Sequence, residues 1–331
     1  MKEFLPTLSE IDSAAQDIRQ ILPATPQYCW PLLCEQMGTE IWLKHENHLP
    51  VGAFKVRGGL VYFADLAQGD IPGGVITATR GNHGQSVGMA AARFGIPATV
   101  VVPHGNSMEK NAAMRSLGAE LIEHGGDFQE AREYAVKLAE ERELHMVQSF
   151  HPLLIRGVAT YAAEFLRAIQ DLDLVYVPVG LGSGICGMIA ARDALNLKTE
   201  IAGVVSSHAR AYAASFAAKS AVESPADTVL GDGMACRTPH QEALDIILNK
   251  VDRIVEVTDD ELAFSMRLIF ECTHNVSEGA GAAAVAAALQ ERASLSNKKV
   301  GAVLSGGNVD KGLFAKVLAG TFEYSKGVRK Q

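Results

Sequence analysis

Short apolar runs alternate with helix-period segments along nearly the whole chain, and that alternation limits the possible folds more than any single residue does. Runs of strand length fall at 41–44, 75–78, 98–102, 120–123, 174–179, 201–205, 253–257 and 300–304. Most are β-branched and apolar on both faces, as expected where helices cover both sides of a parallel sheet. Helical patterns fall between them at 82–94, 108–117, 127–143, 152–169, 184–195, 259–272 and 278–292. The segment 127–143 is the clearest. Asp127 is placed to cap it, Glu130 makes a capping-box-like acidic pair, and Phe128, Ala131, Ala135 and Leu138 recur at helical spacing. A β-α order sustained this far predicts an α/β protein of open, doubly wound, mostly parallel sheets with helices on both faces.

Length bounds the number of such units. At about 150 residues per domain, 331 residues suggest two domains or one large α/β unit. The stretches 50–52 and 145–152 are the plausible crossings, giving a large lobe from 1–48 and 147–331 and a small lobe from 49–146. Apolar residues make up 48% of the chain and charged residues 21%, enough for a proper core. Acidic residues outnumber basic ones, 38 to 30, which disfavours a nucleic-acid partner. The beginning of the sequence has acidic residues and no apolar leader region. The longest apolar run, 279–289, is mostly alanine and too short to span a bilayer, so a cytoplasmic protein with no membrane partner is expected. The five cysteines (Cys29, Cys34, Cys186, Cys236 and Cys272) form no CxxC pair and read as small buried hydrophobes, with no disulfide framework or zinc site.

Four segments carry chemistry. Gly180-Leu181-Gly182-Ser183-Gly184 follows a strand and opens a helix, where backbone N–H groups and the helix dipole favour an anion such as phosphate. As a dinucleotide fingerprint it is imperfect, because Ile185 stands where the third glycine belongs and no acid closes the strand 201–205. Lys55 starts an apolar-periodic helix behind Phe54 and is flanked by glycines, which could desolvate its amine, lower its pKa and make it a nucleophile or base. Thr79-Arg80-Gly81-Asn82-His83 is a second strand-to-helix turn suited to a carboxylate; the plainer reading is an N-cap turn with Asn82 as the cap. Ser305-Gly306-Gly307-Asn308 is a third polar turn at the carboxyl end of a strand, where open α/β sheets bind ligands. Three such turns and one desolvated lysine converge on a phosphate-bearing carbonyl cofactor bonded to the lysine, namely pyridoxal 5'-phosphate.

Read together and in order, these motifs resemble the serine/threonine dehydratases and serine racemases of the fold-type II pyridoxal-phosphate enzymes, in the tryptophan synthase β-like superfamily. The likeness runs over 25–310 and rests on 44–47, the lysine segment 52–58, 81–85, 180–184, Glu278-Gly-Ala-Gly and Ser305-Gly-Gly-Asn-Val-Asp. The resemblance implies that Lys55 is the Schiff-base lysine and later the base at Cα, with Phe54 packed against the cofactor. It implies that Asn82 meets the ring's phenolic oxygen, that Gly180, Leu181, Gly182, Ser183 and Gly184 hold the phosphate, and that Ser305 faces the pyridine nitrogen. Glu278 would lie near the ring. Thr79, Gly81 and His83, with Asn82, would hold the substrate carboxylate, and Asp232 and Gly233 would form a turn near the substrate. The large lobe would bind the cofactor, and the small lobe would lie on the substrate side. The implied activity is that of an ammonia-lyase, converting a threonine- or serine-type β-hydroxy amino acid to a 2-oxo acid and ammonia, and the expected assembly is a homodimer. A serine at the ring nitrogen cannot keep that nitrogen protonated as a carboxylate would, which favours loss of the β-hydroxyl over other outcomes.

The departures from the family pattern sharpen the expectation. Leu181 and Ser183 interrupt the usual run of glycines. Arg80 stands where racemases place a reprotonating serine, which argues against racemization. As a cation in the site, Arg80 would suit a second carboxylate or a polar β-substituent, as in 3-hydroxyaspartate, with phenylserine a further option. Ser207 and Ala213 occupy the positions of the metal carboxylates of racemase-like members, so no metal site is expected. No C-terminal regulatory domain follows, so isoleucine feedback is not expected. The competing readings are a racemase-like enzyme, a β-replacement enzyme (typically with an acid where Val56 stands) and a non-catalytic metabolite-binding protein.

Overall fold

The computed structural model describes residues 4–69, 71 and 73–324. Ten strands are present in this span: β1 (Gln27–Cys29), β2 (Glu40–His45), β3 (Val75–Ala78), β4 (Ala98–Val102), β5 (Glu120–Glu123), β6 (His145–Met146), β7 (Leu174–Pro178), β8 (Glu200–Ser206), β9 (Arg253–Val257) and β10 (Lys299–Leu304). They form two sheets, one of six strands in the order β1-β2-β10-β7-β8-β9 and one of four in the order β5-β4-β3-β6. Every pairing is parallel except that of β1 with β2.

The doubly apolar strands lie where that pattern requires. On β7, Val175 and Val177 face one core with the helices Pro152–Ala168 and Ser183–Ala194. Leu174 and Tyr176 face a second core with Asp259–Thr273 and Gly279–Gln290. This is the two-residue alternation of a strand buried on both sides. In Gly279–Gln290, the residues from Gly279 to Ala288 are all buried, so its alanines serve close packing under a sheet.

Both sheets have a point where the strand order reverses: between β10 and β7 in the large sheet, and between β3 and β6 in the small one. Ligands of open α/β sheets bind outside the carboxyl ends of strands at such points. The turns after β3, β7 and β10 are the three polar glycine-rich segments singled out in the sequence.

Three sequence expectations need correction. Asp127 does cap the helix Phe128–Glu141, accepting the Glu130 N–H. The Glu130 carboxylate, however, accepts the N–H of Gly126, at 2.7 Å, so the box closes one residue upstream of the cap. The helix after β7 begins at Ser183, one residue earlier than expected. Of the cysteines, only Cys186 and Cys236 are buried. Cys29 sits on the edge strand β1, Cys34 on the short helix Pro31–Met37 beside it and Cys272 near a helix end, and all three are partly exposed. No helix among the described residues is long and apolar enough to cross a membrane.

Under the helix Lys55–Leu66 lies a buried ionic network. Arg57 Nε and Nη2 donate to the two oxygens of Glu46 at 2.8 and 3.0 Å, and Nη1 and Nη2 donate to those of Glu164, both at 3.0 Å. Lys44 Nζ donates to Glu164 Oε2 and to the Thr25 carbonyl, both at 2.9 Å. Lys44, Glu46 and Arg57 are fully buried.

Candidate active site

Lys55 is the first residue of its helix, two residues before Arg57, so the network anchors the turn that presents it. Ahead of it, the Phe54 N–H donates to the Ser305 carbonyl at 3.1 Å, Ala53 bridges Gly306, and the Gly307 N–H donates to the Gly52 carbonyl at 2.9 Å. The lysine turn is thus stitched to the turn after β10. The Lys55 Nζ lies 5.0 Å from the centroid of the Phe54 ring. Burial pulls its pKa from 10.5 down to about 8, against an opposing pull from Glu278. A largely desolvated amine of this kind is half neutral near pH 8, where an ordinary lysine is almost wholly charged, and can act as a nucleophile and base.

The turn after β7 meets Phe54 from the other side. A Cβ built on Gly184 would lie 3.5 Å from the Phe54 ring. Gly182 caps the helix Ser183–Ala194 at φ +105°, a conformation side chains rarely adopt, and makes no side-chain cap hydrogen bond. The first N–H groups of that helix therefore face outward, available to an anion. Ser183 is buried beside them. Two tyrosines fix this turn: Tyr161 O–H donates to the Gly184 carbonyl and Tyr212 O–H to the Leu181 carbonyl, the latter at 3.0 Å. A Cβ built on Gly180 would lie 2.5 Å from the Gly233 carbonyl oxygen, so Gly233 adjoins the same turn.

The turn after β3 completes the ring. Gly81, not Asn82, occupies the cap position of the helix Asn82–Phe94, without a side-chain cap bond, and the Gly81 N–H is taken by Thr79 Oγ1 at 3.1 Å. Asn82 is therefore free for other work. Its Oδ1 accepts from Asn308 Nδ2 at 2.8 Å and its Nδ2 donates to Glu278 Oε1 at 2.7 Å. Asn308 also donates to the Val51 carbonyl at 2.8 Å, which fixes its own amide and, through it, the orientation of Asn82. Glu278 is buried at the start of the helix Gly279–Gln290, and its backbone N–H reaches the Gly306 carbonyl. Burial lifts its pKa to about 7, with Lys110 pulling the other way. His83 is buried and pushed down to about 3, first by burial and then by Lys55, so it is neutral. Arg80 is half-buried on the same loop.

Lys55, Phe54, the 180–184 turn, Asn82, Glu278, Ser305 and Gly233 therefore stand together, with Thr79, Gly81 and His83 on the adjoining loop. Sequence reasoning missed Lys110, Tyr161 and Tyr212, and gave Asn308 no role of its own. Lys110 Nζ donates to Asp232 Oδ2 at 2.8 Å, and its side chain lies against Gly81. Its local sequence, Met-Glu-Lys-Asn, looks like any solvated helix start. Tyr161 and Tyr212 carry no local signal either.

The arrangement fits pyridoxal phosphate. Two buried polar atoms in the ring, Glu278 Oε2 and His83 Nε2, have no hydrogen-bond partner among the described residues, as expected of groups facing a ligand. The desolvated amine, the uncapped helix start beside Phe54 and the buried Ser305 supply the aldehyde, phosphate and ring contacts such a group needs.

Comparison with known proteins agrees. The chain is 34% identical to the L-threonine ammonia-lyase of Thermotoga maritima, over 94% of its own length and 78% of the relative's. It is 31% identical to the L-threo-3-hydroxyaspartate ammonia-lyase of Saccharomyces cerevisiae, over 96% and 98%. The solved structure of maize serine racemase superimposes with a TM-score of 0.88 at 25% identity, over 96% of this chain and 98% of that one. The profile of the family described as "Pyridoxal-phosphate dependent enzyme" matches residues 18–306. The chain belongs to the pyridoxal-phosphate dependent enzymes.

Proposed function

We propose that this protein is an ammonia-lyase that eliminates water from a β-hydroxy amino acid, after which the released enamine takes up water, giving ammonia and a 2-oxo acid. The observation that carries the reading is the desolvated Lys55 amine, 5.0 Å from the centre of the Phe54 ring and within electrostatic reach of Glu278, which Asn82 holds. Bound pyridoxal phosphate supplies an electron sink that acidifies the substrate's Cα–H bond. Lys55 Nζ takes that proton, for which a base with a pKa near the working pH is well suited. Thr79, Gly81 and His83 orient the substrate carboxylate, His83 as a neutral imidazole. Asn82, held by Asn308, presents an N–H to the cofactor's phenolic oxygen. Ser305 offers a neutral hydroxyl to the ring nitrogen, and the N–H groups of the 180–184 turn, with Ser183, hold the phosphate. Glu278 keeps a buried carboxyl beside the ring. The working assembly is proposed to be a cytoplasmic homodimer, which sedimentation of the holoenzyme checks.

The test is a panel of threonine, serine, 3-hydroxyaspartate and phenylserine given to the holoenzyme, scored for ammonia and for the identity of the 2-oxo acid. Release of both from at least one substrate is expected. Cysteine made from O-acetylserine and sulfide, with no ammonia-lyase turnover, would instead establish β-replacement. No turnover with cofactor bound would favour a binding role.

The depressed pKa of Lys55 has its own readout. The neutral amine is the nucleophile, and its fraction rises with pH, so cofactor capture by the cofactor-free protein should accelerate through a midpoint near pH 8 rather than 10.5. Glu278 favours the ammonium, so Glu278→Gln should move that midpoint lower. Stopped-flow absorbance across pH measures both, and an unmoved midpoint in the variant would remove Glu278 from the account.

A further inference from the structure

The site holds one buried cation to which the dehydration chemistry assigns no task. Lys110 comes from the helix Met108–Ser116 and lies over the substrate loop. A Cβ built on Gly81 would stand 2.8 Å from Lys110 Cδ and 3.6 Å from its Nζ. Asp232 is the one hydrogen-bond partner of that Nζ among the described residues. An ammonium carries three donors, so two remain for a ligand. The Lys110 side chain is 12% exposed and that of Asp232 31%, which puts the cation inside and its carboxylate partner at the rim. Burial opposes the charge on Lys110, but Asp232, Glu278 and Asp310 outweigh it, so the side chain remains an ammonium.

A methyl group or hydrogen on the substrate's β-carbon has no use for such a charge, whereas an anionic group there would occupy the free donors. A second role is possible in principle, that of tying the lobes together through Asp232. Two other contacts from the same helix start already do this: Ser107 Oγ donates to Asp310, and the Glu109 carboxylate accepts the Lys311 N–H at 3.0 Å. Resting on the ammonia-lyase reading, we propose that Lys110 is a specificity-determining residue that binds an acidic group on the substrate's β-carbon, so that the site selects β-hydroxy amino acids bearing a second carboxylate.

The experiment pairs a binding measurement with a selectivity ratio. Malonate is titrated calorimetrically into the holoenzyme, and kcat/KM is measured for 3-hydroxyaspartate and threonine, in wild type, Lys110→Met, Lys110→Arg, Asp232→Asn and Arg80→Ala. Lys110→Met is expected to weaken malonate by about tenfold to a hundredfold, the range for a lost charge-assisted hydrogen bond, and to shift the substrate ratio toward threonine by a similar factor. Lys110→Arg should keep most of the malonate affinity. Asp232→Asn breaks the same ion pair but keeps the cation, so it should keep or raise both readouts. The proposal is overturned if Lys110→Met and Asp232→Asn depress both substrates in equal proportion, which is the behaviour of a latch. It is also overturned if malonate loses affinity only in Arg80→Ala, or as much in Lys110→Arg as in Lys110→Met. If no β-hydroxy amino acid is turned over while Lys110→Met still loses malonate, the ammonia-lyase reading fails and the Lys110 assignment stands.

Discussion

Replacing Lys55 with alanine is expected to lower kcat/KM by about ten-thousandfold and to abolish the visible absorbance of the bound cofactor. The rate loss is set by what a positioned base contributes, at the upper end because the proposed function has the same amine anchor the cofactor as well. Stability should not follow activity. The wild-type amine is held in surroundings that disfavour its charge, so losing it removes no favourable ion pair. A thermal melt of the cofactor-free variant within a few degrees of wild type, together with lost absorbance and turnover, would place the effect in chemistry. An inactive variant that still showed the wild-type band would mean that a different lysine carries the cofactor.

Arg57→Met is expected to do the opposite, unfolding the protein more than it impairs any single chemical step. The guanidinium satisfies both Glu46 and Glu164 and also donates to Thr160 and Thr25, all in the interior. Removing it leaves two buried carboxylates facing one lysine. Breaking a buried pair in this way typically costs about 3–5 kcal/mol, a large share of the ~5–15 kcal/mol that holds a domain folded. Urea denaturation of the cofactor-free protein gives the number. The pH dependence gives the cause. Burial raises the pKa of Glu164, but Arg57 and Lys44 outweigh it and hold the carboxyl below 4.5. Its contribution is therefore full above that value and lost as pH falls through the lower folded-state pKa. The gap between wild type and variant should narrow in acid as the Glu164 carboxylate protonates in both. A loss under 1 kcal/mol would mean that water or rearrangement compensates the orphaned acids.

Much of this architecture could be read from the chain because buried parallel strands announce themselves. Val75–Ala78 and Ala98–Val102 are buried throughout and bounded where the apolar runs end, and the more exposed edge strands Glu120–Glu123 and Arg253–Val257 end there too. The strands β1 and β6 escaped notice because three and two residues are too few to show any alternation. The helix Leu8–Arg19 is a different failure. Thr7 and Glu10 form a full capping box, and Ile11, Ala14, Ala15 and Ile18 are buried at helical spacing, so the signal was present and went unread. In the site, Lys55, Asn82, Glu278 and Ser305 stood out because each belongs to a glycine-rich turn or the start of a helix. Lys110 reaches Gly81 only through the tertiary arrangement, which no local pattern encodes. The same holds for the anchoring of Asn82 by Asn308, which joins residues 226 positions apart.

The turn after β10 touches the lysine segment through Ala53 and Phe54, the acidic segment through Glu278 and Gly281, and the helix start after β3 through Asn308. At Gly281 the approach is so close that any side chain would collide with the Gly306 carbonyl. Few positions on this turn can drift alone. A change at 306 alters the fit of Ala53, more than two hundred residues away in the chain, and of Glu278 and Gly281, and its effect depends on what those partners already are. Engineering a new substrate preference into this scaffold is therefore better begun at the rim, around Asp232, than at the hub, where tolerance must be won for several segments at once.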